Sequence, residues 1–280
     1  MEIRELEKIA SQVRRDILRM VHGAQSGHPG GALGTAEYFV ALYWEVMNYS
    51  LPFDMDGIGE DLFFLSNGHI CAAWYSVLAR SGFFPTEELA TFRRLNSRLQ
   101  GHPTTAEHLP GIRVASGSLG QGLSVAVGAA ISKKQNKDRH IVYSLHGDGE
   151  LDEGQNWEAA MSAAHFKMDN LIATIDYNRV QIDGPIEKVM DLGDLWAKFH
   201  AFGWDVISLP EGNNMEAVTE TLKEAKTHTG KGKPVVIIMQ TEMGFGVDFM
   251  TGDYRWHGVP PDDEQLARAL AQIPETLGDY

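Results

Sequence analysis

The sequence predicts an α/β fold: a doubly wound, mostly parallel sheet flanked by helices. Three observations predict it. Helical and strand-like stretches alternate along the 280 residues, the pattern of layered α/β proteins. Residues 234–240 (PVVIIMQ) form an unbroken apolar run, as a parallel strand covered on both faces should. Residues 141–145 and 171–175 are two further apolar runs separated by a helical stretch, and such a crossover makes them parallel neighbours.

Taken in order, residues 3–22 place Ile3, Leu6, Ala10, Val13, Ile17 and Met20 at helical spacing, so an amphipathic helix is expected. Gly27, Pro29, Gly30 and Gly31 then forbid its continuation and hold His28 on a tight loop. A second helix is expected over 35–49, and a strand over 61–65 that runs into Ser66-Asn67-Gly68-His69 before a helix begins near residue 70. A helix over 86–96 precedes Gln100-Gly101-His102-Pro103. Ser116 to Gly122, rich in glycine, opens a helix over 123–132. Residues 153–164 carry Trp157, Ala160, Met161 and Ala164 as one apolar stripe. Helices over 191–202 and 215–228 flank a strand over 204–209. A long loop, 241–261, ends on Trp256-His257-Gly258 and precedes a short polar helix over 262–273. Loops of that length inside a compact domain are commonly functional. No internal repeat, low-complexity segment or linker divides 1–280, so one domain is expected.

The totals narrow the function. A net charge of −14 with 43% hydrophobic and 22% charged residues fits a soluble globular chain and argues against nucleic-acid or anionic-membrane surfaces. Any phosphate must then be bound locally. Cys71 is the single cysteine, in an apolar helical stretch where a thiol ordinarily packs. With no signal peptide and no membrane span, a cytoplasmic location is expected.

The chemistry centres on residues 140–184. Gly147-Asp148-Gly149 follows one strand and Asn178 follows the next, which places both at the carboxyl edge of the sheet, where open α/β sheets bind ligands. A carboxylate and an amide oxygen are hard donors suited to Mg²⁺ or Ca²⁺, and a diphosphate would complete the shell. The flanking glycines let backbone approach phosphate. A lone loop histidine is ordinarily solvated, but His28, His69 and His102 all fall on glycine-rich turns at one sheet edge, which argues for a shared pocket.

Gly-Asp-Gly followed by Asn thirty positions later is the thiamine diphosphate signature, and most of the chain resembles the N-terminal, diphosphate-binding part of transketolase. The resemblance rests on SGHPGGALG (26–34), FFLSNGHICAAWYSVL (63–78), LQGHP (99–103), ASGSLGQGLSVAVGAAI (115–131), GDGELDEGQNWEAA (147–160), DYNRVQIDG (176–184) and WHG (256–258). It implies that Asp148, Asn178 and the carbonyl of Val180 hold Mg²⁺ (or Ca²⁺ or Mn²⁺). It implies that Gly149 meets the diphosphate, that Gly117 and Leu119 lie around the cofactor rings, and that Ile182 and Met243 line the thiazolium. His28, His69, His102 and His257 match the substrate-channel and cofactor-side histidines, and Glu153 and Glu158 match acidic residues near a subunit interface. At Met243 the family often has isoleucine, and the segment before His257 differs in length from other branches.

The activity implied is transfer of a two-carbon ketol unit from a ketose phosphate to an aldose. Single-chain transketolases continue with a pyrimidine-binding and a C-terminal domain. Those parts carry the glutamate that meets the aminopyrimidine and the arginines that hold substrate phosphate. The expectation is therefore an N-terminal subunit of a split transketolase, active only with a second chain in a heterotetramer; a piece cut from a longer protein is the plainer alternative. Rival expectations are a 1-deoxyxylulose-5-phosphate synthase, the α chain of a 2-oxoacid dehydrogenase, a split enzyme with an unusual donor or acceptor, and a non-catalytic homologue. Donor use separates the catalytic readings, and cofactor binding the last.

Overall fold

The computed structural model describes residues 1–280. Helix α1 (Ile3–Ala24) buries Leu6, Ile9, Val13, Ile17 and Val21 and ends where Gln25 turns left-handed at φ 47°. The loop expected to follow it is shorter than its glycines suggest. The helix resumes almost at once, as α2 (Pro29–Gly34), with proline in its first turn, where the missing N–H costs nothing. Its glycines serve packing, because a Cβ on Gly34 would lie 2.8 Å from the Glu242 carbonyl oxygen. His28 is thus the residue that caps a helix. After Thr35 the chain continues as α3 (Ala36–Ala41) and a wider π turn, Leu42–Val46, so the helix expected to reach 49 stops earlier.

Strand β1 (Leu62–Leu65) leads through a 3₁₀ turn into α4 (Cys71–Arg80). The helix expected over 86–96 is only a 3₁₀ segment, Thr86–Thr91. Arg93 and Asn96 adopt φ of 58° and 64°, which no right-handed helix allows. Then follow α5 (Gly122–Gln135), β2 (Val142–Gly147), α6 (Gly154–His165), β3 (Leu171–Tyr177), a small hairpin of β4 (Val180–Gln181) and β5 (Gly184–Pro185), α7 (Ile186–Val189), α8 (Leu195–Ala201), β6 (Asp205–Leu209), α9 (Met215–His228), β7 (Val235–Gln240) and α10 (Asp263–Gln272).

The main sheet has order β1-β2-β3-β7-β6 and every pairing in it is parallel. Alternate residues feed the two faces. Phe63, Leu65, Tyr143, Leu145, Ile237 and Met239 face one core with α1, α3, α4 and α9, and Leu62, Phe64, Val142, Ala173, Val236 and Ile238 face the other with α5, α6 and α8. The stripe expected on α6 is one step out of register: Asn156, Ala159, Ala160 and Ala163 are buried, whereas Met161 is 53% exposed. Small side chains let this helix sit close to the sheet. No helix is long and apolar enough to cross a membrane.

Because the strands are parallel, all their carboxyl ends share one edge. Ser66 follows β1, Asp148 follows β2 and Asn178 follows β3, and these three strands are adjacent. Glycine is required where the loops above them touch: a Cβ on Gly68 would lie 2.6 Å from Gly117 N, and one on Gly117, at φ +102°, 2.3 Å from His102 Cδ2.

Candidate active site

At this edge lies a cavity of about 310 Å³ lined by His28, His69, His102, His257, Gly117, Leu119, Asp148, Gly149, Asn178, Val180 and Ile182. Eleven residues singled out from sequence therefore meet in one place. Met243 is outside the lining. It is buried, and its Cγ lies 2.6 Å from where a Gly30 Cβ would be, so it supports the floor below α2. Glu153 is exposed on the far side of Gly120, and Glu158 is exposed on α6.

The four imidazoles form one cluster. His28 stands edge-on to His69 at 5.1 Å and to His257 at 5.8 Å, His69 stacks on His257 at 5.2 Å, and His102 lies 6.3 Å from His28. Burial, followed by His257, Arg93 and His102, pushes His28 down to about 4. Burial and the neighbouring histidines push His69 well below the usual range, burial and Arg93 lower His102, and burial lowers His257. At neutral pH the cluster is uncharged, so each ring offers one donor and one acceptor.

Asp148 is buried and accepts from Gly149 N at 2.7 Å and Arg179 N at 2.6 Å. Burial, then the neighbouring Asp176, push its carboxyl up to about 7, and burial pushes Asp176 up to about 6. Asp176 binds the Thr241 hydroxyl and accepts from Asn178 Nδ2 at 3.0 Å. Asn178 Oδ1 accepts from Val180 N at 2.9 Å, which keeps one lone pair of the amide oxygen free.

Sequence reasoning missed Asn67, Glu150, Asp176 and Gln181, which also line the cavity. The available signal was an acid in an otherwise apolar setting, Asp176 at the end of β3 and Glu150 in the turn before α6. Glu150 knits the loops together: it accepts from Gly120 N at 2.9 Å, Gly147 N at 3.2 Å and the Ser66 hydroxyl. Burial alone would raise its pKa, but His146, Ser66 and the Gly120 N–H outweigh burial and hold it below the usual range. Glu150→Ala strands three donors and is expected to cost about 2–4 kcal/mol of stability. Urea denaturation reads this, and an unchanged midpoint would contradict the role.

The residues fit a metal-bound diphosphate. The lining holds three carboxylates, Asp148, Glu150 and Asp176, and no lysine or arginine, so an anion needs a cation brought with it. No cluster of three His, Cys, Asp or Glu side chains is arranged to hold an ion alone, as expected if neutral oxygens and the diphosphate share its shell. Asn67 Oδ1, His28 Nδ1 and His257 Nδ1 are buried without a partner, and buried polar atoms left so ordinarily meet a ligand or water.

Comparison with known proteins agrees. Residues 6–274 match the family model described as transketolase, thiamine diphosphate binding domain. One of the two subunits of an apulose-4-phosphate transketolase, from Actinobacillus succinogenes, is 37% identical over 272 residues, 97% of this chain and 96% of that protein. A 6-deoxy-6-sulfo-D-fructose transketolase subunit of a Clostridium species is 36% identical over 269 residues, 96% of each. The transketolase structure from Leishmania mexicana superposes with a TM-score of 0.88 at 34% identity, covering 96% of this chain but 41% of that one. The chain belongs to the transketolase family and carries its thiamine diphosphate binding domain.

Proposed function

We propose that this chain is the diphosphate-binding subunit of a two-chain transketolase. It moves a two-carbon ketol unit from a ketose phosphate to an aldose, with thiamine diphosphate and a divalent metal, Mg²⁺ or in its place Mn²⁺ or Ca²⁺. The observation that carries this reading is the one cavity in which four neutral imidazoles and the Asp148–Asn178 pair meet. Asp148, Asn178 and the Val180 carbonyl would hold the ion. Gly149, which opens a short 3₁₀ turn, offers close backbone approach to the diphosphate. Thiamine diphosphate, when bound, supplies the reactive carbon and the electron sink for the two-carbon unit.

The protein binds, orients and moves protons. His28 Nδ1 and His257 Nδ1 have no partner within the chain and are available to sugar hydroxyl and carbonyl oxygens. Neutral imidazoles can give or take a proton there at pH 7. Leu119 and Ile182, 36% and 60% exposed, edge the cavity with apolar surface that a docked partner would cover. That partner carries the pyrimidine-binding and C-terminal domains in a cytoplasmic heterotetramer. Two relatives named as subunits support the two-chain arrangement.

The names of those relatives, one for an apulose phosphate and one for a sulfo-sugar, favour a second reading in which the donor is an unusual ketose. A donor panel on the assembled pair tests both. Transfer from ketose phosphates or sulfo-ketoses, and none from pyruvate, is expected; pyruvate as donor would move the enzyme to the 1-deoxyxylulose-5-phosphate synthase type. On the same assembly His102→Ala should lower turnover by about 10²-fold with little change in cofactor affinity. Equal losses of both would show that His102 serves the cofactor.

A further inference from the structure

Arg93 stands outside every motif quoted above, yet it touches two of them. Its guanidinium donates through one terminal nitrogen to Ser26 Oγ at 2.8 Å and through the other to the Gly101 carbonyl at 3.0 Å. Ser26 lies two residues before His28, and Gly101 directly precedes His102. Contact with Gly101 is close: a Cβ there would lie 2.8 Å from Arg93 Cζ. The backbone is committed to this placement, since Arg93 adopts a left-handed φ of 58° and its N–H bonds Leu99 O at 2.8 Å. A non-glycine residue held there signals a constraint.

No carboxylate pairs with it. The ion pairs of the chain include Arg14, Arg15, Arg19, Arg80, Arg98, Arg113 and Arg255 but not Arg93, and its Nε is buried without a partner. An arginine whose fork is spent on a hydroxyl and a carbonyl keeps its full positive charge for its surroundings.

We propose that Arg93 is a positioning residue that ties the loop of His28 to the loop of His102 and lays an unpaired positive charge behind both rings. The imidazoles respond accordingly. His28 is faced by His69, His102, His257 and Arg93, and His102 by His28 and Arg93. Arg93 disfavours the protonated form of His28 and His102, whereas it is not among the groups acting on His69 and His257. Two of the four rings are thus kept neutral from outside the cavity, and their spacing is fixed by one planar fork. Lysine, a point charge, could keep the field but not both bonds.

The assignment of substrate work to these histidines rests on the proposed function, so the test is chosen to be independent of turnover. The full chain, labelled in its histidine rings and assigned with single His→Gln variants, is titrated by NMR as wild type, Arg93→Gln and Arg93→Lys. In R93Q the titrations of His28 and His102 should move upward by about half a pH unit or more, with His69 and His257 moving less. R93K should keep both near wild type while broadening or doubling their ring signals. In the assembled enzyme R93Q should also move the acid limb of kcat/KM to higher pH. Unmoved titrations of His28 and His102 in folded R93Q, or an equal movement of all four rings, would overturn the proposal. If R93Q fails to fold, R93K decides: ring signals identical to wild type overturn the tie. An assembly without ketol transfer would sink the proposed function and leave this result standing.

Discussion

Asp148→Asn is expected to weaken metal-dependent thiamine diphosphate binding by at least about 100-fold, since loss of an outer partner of a metal ligand already costs 10–100-fold. The fold should survive. Asparagine keeps an acceptor for one of the two N–H groups that Asp148 now binds, and it removes a buried like-charge contact with Asp176. Apo melting temperature should therefore stay within a few degrees of wild type. The wild-type chain carries the matching pH signature. The ion needs ionised Asp148, whose pKa is pushed up to about 7, so affinity should fall by up to about tenfold per pH unit below that value and level off above it. For apo stability the sign is opposite. A carboxyl raised in the folded state stabilises below its unfolded pKa of about 4, and that contribution is lost as pH rises through about 7. Calorimetric titration across pH, with thermal melts of both forms, checks all of this. Undiminished affinity in the variant would remove Asp148 from the metal site.

The second large effect is partner dependence. Alone, the chain is expected to catalyse ketol transfer about 10²–10⁴-fold more slowly than when mixed with a chain carrying the remaining domains, the factor attached to a missing acid–base group. The chain spans 41% of the Leishmania mexicana transketolase, and the resemblance assigns to the remainder the glutamate that meets the aminopyrimidine. Exposed Leu119 and Ile182 at the mouth agree with a site completed by another surface. Steady-state assays of each chain and of the mixture decide it; transfer by this chain alone at the rate of the mixture would refute the split.

Most of the sheet was legible because parallel strands are buried on both faces and show as apolar runs: β2, β3 and β7 fall where residues 141–145, 171–175 and 234–240 predict. Helices were legible where they are amphipathic, as in α1 and α9. They were misread where backbone angles decide, at the left-handed Arg93 and Asn96, and where packing overrides glycine, in α2. The cavity lining was legible where motifs mark it, at Asp148, Asn178 and the four histidines. Glu150 and Arg93 escaped because their meaning lies in hydrogen bonds to residues 26–120, which no spacing rule connects. Met243 matched a lining position by resemblance, yet its side chain lies under Gly30.

The central claim concerns one ion. Crystals of this chain, with its partner and with thiamine diphosphate, grown in Mn²⁺, locate that ion by its anomalous scattering. A single peak within about 2.3 Å of an Asp148 carboxylate oxygen, the Asn178 amide oxygen and the diphosphate is the expected result. A diphosphate bound without an ion there, or a peak that touches neither side chain, would contradict it.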